Sequence, residues 1–160
     1  SADQIMRLDP DGVVLSSGPG DPHSLKASVL EMIRQVQSQV PLMAIGLGHE
    51  LFALANGAQV ERMPIENHSM NHPIKEIMTD QIDYASQAQG YEVMRESVDR
   101  SKLFVTHIDL LNNSVQGLHH LRYPAFSVQF FPDGAPGPDE TDPLFDQFVD
   151  MMNQRGGRSE

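Results

Sequence analysis

The sequence predicts an α/β domain, a mostly parallel sheet flanked by helices. Three observations carry that expectation. Short β-branched runs end in glycine-rich turns, the segments between several of them keep apolar spacings of three and four, and residues 41–55 pass from strand to helix through Gly46-Leu47-Gly48 alone. The 160 residues, 39% hydrophobic, suffice for one core and are too few for two ordinary ones. A single domain over 1–155 is therefore expected, with 156–160 as a frayed tail.

Taken in order, residues 12–17 (GVVLSS) read as a buried strand closed by the turn formers Gly18-Pro19-Gly20-Asp21-Pro22. Leu25, Val29, Met32, Ile33 and Val36 give a helix over 24–39, for which Asp21 and Pro22 resemble the N-cap and first position. Residues 41–45 are an apolar strand, and residues 49–55 a helix stopped by Asn56-Gly57. Strands are expected at 60–63, 74–78, 84–87, 103–108, 115–119 and 125–131. Leu144, Phe145, Phe148, Val149 and Met152 give a closing helix over 143–153.

Composition narrows the function. Twenty-two acidic against 11 basic residues leave a formal charge of −11, which repels phosphate backbones and anionic lipid, so neither nucleic acid nor membrane is an expected partner. No apolar run is long enough to span a bilayer, and the first residues have neither a basic nor an apolar leader region, so a cytoplasmic protein is expected. On that reading the sequons at Asn67 and Asn112 are coincidental. With no cysteine, disulfides, thiolate metal sites and thiol nucleophiles are all excluded.

A strand that enters a helix through a glycine-flanked turn is how α/β enzymes lift a nucleophile above the sheet. The apex here is Gly46, which has no side chain to attack a carbonyl. The segments LSSGPGDP (15–22), AIGLGHELFALANGA (44–58), NHPI (71–74), VQGLHHLRYPAFSVQFFPDGAPGP (115–138) and LFDQF (144–148) resemble the class I glutamine amidotransferase domain of the bacterial carbamoyl phosphate synthetase small subunit. The resemblance implies a flavodoxin-like fold, with a strand–helix unit and a separate domain ahead of the residues present here. It also implies a glutaminase whose elbow cysteine forms a glutamyl thioester and releases ammonia to a large synthetase subunit.

Aligned on those motifs, Gly46 stands at the cysteine and Phe131 at the histidine base, with Asp133 at the glutamate that orients that base. Glu50 and Ala88 replace residues that hold the substrate glutamine, whereas Gly18, Gly20, Gly90, Tyr91 and the amide of Leu47 keep the positions of the oxyanion hole and substrate cradle. Losing one member of such a unit removes most of its covalent rate advantage, roughly 10⁴ to 10⁶. The expectation is a glutaminase-null domain with no cofactor, whose partners are glutamine or another small amino acid and the carbamoyl phosphate synthetase large subunit. Two alternatives stand beside it: a repurposed small-ligand module made acidic by Glu50 and Asp133, and a residual hydrolase in which Asp133 activates water.

Other motifs give way to plainer readings. The pairs His68/His72 and His119/His120 invite a metal, but adjacent residues of a strand point to opposite faces, so no metal site is expected. Ser16 and Ser17 precede no elbow, and the GPGDP loop lacks the lysine of a phosphate-binding loop. His49, just after the elbow, reads as structural, and the 9 methionines as core filler.

Overall fold

A computed structural model describes residues 1–16, 20–67, 72–85, 89–130 and 143–158, with the side chains of 65–67 and 156–158 outside that description. The main sheet has 7 strands: β1 (Val13–Leu15), β2 (Leu42–Ile45), β4 (His72–Glu76), β5 (Ile82–Ala85), β7 (Leu103–Asp109), β8 (Val115–His120) and β9 (Ala125–Val128), in the order β1-β2-β9-β8-β7-β4-β5. β3 (Val60–Asn67) and β6 (Gln89–Val93) form a separate antiparallel pair. The sheet is mixed. β1, β2 and β9 run parallel, and the remaining pairs are antiparallel.

Alternation along β2 divides the core into two layers. Leu42 and Ala44 pack with residues of helices α1 (Ala2–Met6), α2 (Ala27–Gln37) and α3 (Leu47–Ala55), while Met43 and Ile45 pack with Phe126, Val128 and Phe148 of α4 (Pro143–Arg158). All four β2 residues are buried, as a strand covered on both faces requires. Gln37 and Asn56 exchange amide hydrogen bonds of 2.9 and 3.0 Å, tying the end of α2 to the end of α3. Gly48 is where α3 touches the sheet, because a Cβ there would lie 2.4 Å from the Leu15 carbonyl oxygen.

The α/β class is as the sequence predicts, with differences in detail. β1 is an edge strand whose Val14 is 46% exposed, so the buried strand expected at 12–17 is half-buried and shorter. Asp21 does not cap the long helix. Its carboxylate accepts from the His23 amide and caps a 3-10 turn over Pro22–Ser24, and α2 starts separately after Lys26 without a side-chain cap. The last helix reaches Arg158, past the point where fraying is expected. Strand β9 stops at Val128, and of the strand expected over 84–87 the last two residues lie outside the described set. Three elements carry no sequence expectation: α1, held by a Ser1–Gln4 capping box, β6, and a 3-10 turn over Arg95–Ser97.

Candidate functional site

The parallel part of the sheet delivers three chain segments to one place. Gly46 follows the carboxyl end of β2, the loop through Gly20 and Asp21 follows β1, and Gln129 follows β9. In an open α/β sheet this end of the strands is where ligands bind.

Gly46 is buried, with φ 60° and ψ −117°, a combination that L-residues adopt only under strain. The turn is held from both sides: the Gly46 amide donates to the Val128 carbonyl at 2.9 Å, and the Glu50 amide donates to the Gly46 carbonyl at 3.2 Å. Among the described residues no side chain caps α3, and its N-cap, Gly46, has none to offer the amide groups of the first turn, that of Leu47 included. Such a helix start suits an anionic oxygen. The elbow is thus a real backbone feature, and its apex atom is a hydrogen.

Glu50, on the first turn of α3, is only 6% exposed and accepts a 3.1 Å hydrogen bond from Gln129 Nε2. Burial pushes its pKa up to about 7, against smaller lowering effects from Gln129 and His23. Asp21 and His23 are close enough to act on it electrostatically, so the 3-10 turn and α3 share one cluster. His23 Nδ1 lies 2.9 Å from Asp21 Oδ1, and the His23 amide holds the Asp21 carboxyl below its ordinary pKa. The Tyr91 ring stands edge-on to the His23 ring at 6.1 Å. Tyr91 and Gly90 come from β6, which also packs on α3. Beside this cluster lies an open groove of about 560 Å³ whose walls include His23, Leu54, Val60, Arg62 and Tyr91.

A polar layer runs beneath the elbow. His49 is fully buried, its Nδ1 2.7 Å from Ser127 Oγ, and burial drives its pKa down to about 3, so the ring is neutral. Gln116 Nε2 donates to Gln89 Oε1 at 3.1 Å and to Ser114 Oγ at 2.8 Å. His49 Nε2, Gln116 Oε1 and Gln129 Oε1 have no hydrogen-bond partner among the described residues. Sequence reasoning singled out none of the three glutamines, since a buried amide leaves no periodic signal.

Of the residues the sequence selected, Gly46, Leu47 and Glu50 meet at the elbow, Gly20 (φ 120°) sits on the loop beside Asp21, and Gly90 and Tyr91 reach the same side through β6. Gly18, Ala88, Phe131 and Asp133 lie outside the described residues, as does His68. The histidines considered for metal are engaged elsewhere. His72 pairs with the buried Asp109 at 2.6 Å, His119 stacks on Phe104 and Phe126, and His120 Nδ1 accepts from the amides of Arg122 and Tyr123.

The model of the family described as glutamine amidotransferase class-I matches residues 1–151. Over 152 residues, 95% of the chain, it is 50% identical to the carbamoyl phosphate synthase pyrimidine-specific small chain of Lactiplantibacillus plantarum, of which it covers 42%. It is 47% identical to the carbamoyl phosphate synthase small chain of Listeria monocytogenes, covering 96% of this chain and 42% of that one. The chain therefore spans about two fifths of the curated relatives it matches. Among solved structures, a putative GMP synthase protein from Thermoplasma acidophilum superposes with a TM-score of 0.77 at 18% identity, over 96% of this chain and 79% of the other. A glutamine amidotransferase from Thermotoga maritima gives 0.66 at 13% identity, over 95% and 66%.

Proposed function

The chain belongs to the glutamine amidotransferase class-I family, and from that premise we propose that it is a glutaminase-null domain of a carbamoyl phosphate synthetase small subunit. Its role is to dock on and stabilise the large subunit in the cytoplasm, while free ammonia supplies the nitrogen. The observation that carries this reading is the apex of the elbow. The backbone makes the turn that presents a nucleophile, and Gly46 fills it with no nucleophile. At the positions that the family resemblance gives to the base and its orienting group the chain has Phe131 and Asp133, and Ala88 replaces a substrate-holding asparagine. Phenylalanine can neither accept a proton from an attacking group nor return one to a leaving amine. Water in place of the thiol would still need a positioned base, and neutral His49 is sealed in the core.

The test is glutamate release from glutamine, measured with the longest natural form of the polypeptide and its synthetase partner, with ammonia as the alternative nitrogen donor. Carbamoyl phosphate formation from ammonia but not from glutamine is expected. Glutamine-dependent turnover would overturn the proposal.

Glu50 favours a second reading, in which the pocket holds a small amino acid without transforming it. A buried carboxyl that accepts from the Gln129 amide, beside Asp21 and His23, has lone pairs left for an ammonium or amide group. Calorimetric titration with cationic and neutral amino acids separates the two readings, since silence with all of them leaves docking alone.

A further inference from the structure

At the opposite end of the sheet from the elbow lies a second cavity, of about 490 Å³, enclosed by the end of α2, the turn between β8 and β9, and the last turns of α4. One wall is apolar or aromatic, formed by Val40, Pro41, Tyr123, Pro124 and Met151. The remainder carries hydrogen-bond donors, among them Arg122, Arg155 and His120, and among the described residues no aspartate or glutamate lines it. In a chain with 22 acidic residues and 11 basic ones, a described lining with two arginines and no carboxylate runs against the average surface.

Three details leave these basic groups with hydrogen-bonding capacity to spare among the described residues. The Arg122 guanidinium has no hydrogen bond or ion pair among the described residues; it does act on His120 electrostatically. Among the described residues Arg155 has a loose ion pair with Asp11, 3.8 Å away and itself 84% exposed at the side chain. His120 uses Nδ1 to accept from the amides of Arg122 and Tyr123, which fixes the tautomer with the proton on Nε2 and makes the free ring nitrogen a donor. Burial, then Arg122, His119 and Lys102, holds the His120 pKa below its ordinary value. An arginine retained to neutralise a helix end would bond the last carbonyls, as Arg34 does with Ala55 at 3.0 Å.

We propose that this cavity binds a small molecule carrying a phosphate or carboxylate group joined to a planar or apolar body. The guanidinium groups of Arg122 and Arg155 face the anion from two elements and His120 Nε2 donates to it. The Tyr123 ring, 4.7 Å from that of His120, and the proline and methionine wall take the body. Paired guanidinium donors match the planar forks of carboxylate and phosphate oxygens. Because the site joins α2, the β8–β9 turn and α4, a ligand there would clamp the end of α4 to the sheet, independently of any chemistry at the elbow.

The experiment is a titration of the full chain with inorganic phosphate and with phenyl phosphate at constant ionic strength, followed by NMR of the histidine and tyrosine rings. Saturable shifts of His120 and Tyr123 are expected, with phenyl phosphate the tighter probe. Arg122→Gln and Arg155→Met should each weaken binding about tenfold or more, whereas Lys26→Gln, a basic residue at the start of α2, should leave it unchanged. Arg122 is exposed and its bond to His120 is made by the backbone amide, which the substitution keeps, so its variant stays folded, and an unchanged amide spectrum verifies that. Absence of shifts at these rings would overturn the proposal. So would shifts that survive Arg122→Gln, or that Lys26→Gln weakens equally.

Discussion

Replacing Gly46 with alanine tests whether the elbow geometry is real. At φ 60° and ψ −117°, a Cβ places an L-residue in a region that costs about 1–3 kcal/mol. At a position where alanine fits without strain, the same substitution would instead stabilise by about 0.4–1 kcal/mol, because it restricts the unfolded chain. The two cases differ in sign, which makes the measurement decisive. For a domain of this size, about 2–4 °C per kcal/mol converts the expected loss into a fall in Tm of roughly 2–12 °C. Urea unfolding should show a lower midpoint at unchanged m-value. Asparagine, which tolerates the left-handed helical region at positive ψ, should be no better than alanine here, since ψ is strongly negative. Gly46→Cys restores a thiol at the apex and should suffer the same loss of stability while releasing no glutamate, because Phe131 is no base. An alanine variant as stable as the parent, or more stable, would refute the assignment of a strained elbow.

Two further outcomes follow from burial. Glu50 has a folded pKa of about 7 against 4.5 when unfolded, so the folded state holds the extra proton between those values, and its contribution to stability is greatest below pH 4.5 and falls as pH rises through about 7. Glu50→Gln should therefore be more stable than the parent at pH 8 by up to roughly 3 kcal/mol and nearly equal to it at pH 4, and a pH-independent difference in urea midpoints would contradict the buried carboxyl. Gly48→Ala should destabilise by about 1–3 kcal/mol, because its Cβ would sit 2.4 Å from the Leu15 carbonyl and 2.9 Å from Leu15 Cβ, forcing α3 off β1; a neutral denaturation curve would show that this contact is not there.

The elements legible in the sequence are those whose partners impose a period. β2 reads as a strand because both of its faces are buried, and α2 because one stripe faces the sheet. β6 is illegible for the opposite reason. Gln89, Gly90 and Glu92 make a poor strand by propensity, and the segment is extended because it pairs with β3, Val93 opposite Val60 and Tyr91 opposite Arg62. The five-residue α1 rests on a capping box and a single buried residue, too little for periodicity to register. Asp21 misleads because Asp-Pro serves a 3-10 turn as well as an α-helix, and the choice depends on Leu25 being extended (φ −85°, ψ 151°). In the site, glycine at the apex is plain from the spacing of the motif, whereas the supporting layer of Gln89, Gln116 and Gln129 comes from three different strands or strand ends that only the fold brings together.

On the proposed reading, glycine at the apex carries neither a nucleophile nor the strain that a side chain would bring there. A side chain held at this backbone geometry is tolerated only where its surroundings over-determine it, and the stability given up there is recovered when glycine takes its place. Among the described residues the two core clusters draw on the strands and the helices and do not include Gly46. What the elbow still requires is Gly48 against Leu15, the hydrogen bond from the Gly46 amide to Val128, and the polar layer under α3. Those contacts fix where α3 lies against the sheet. If the domain docks on a synthetase as proposed, shape and turnover are separately measurable: Gly48→Ala should disturb that association more than Gly46→Ala does, since it moves the helix, whereas the other strains a single turn.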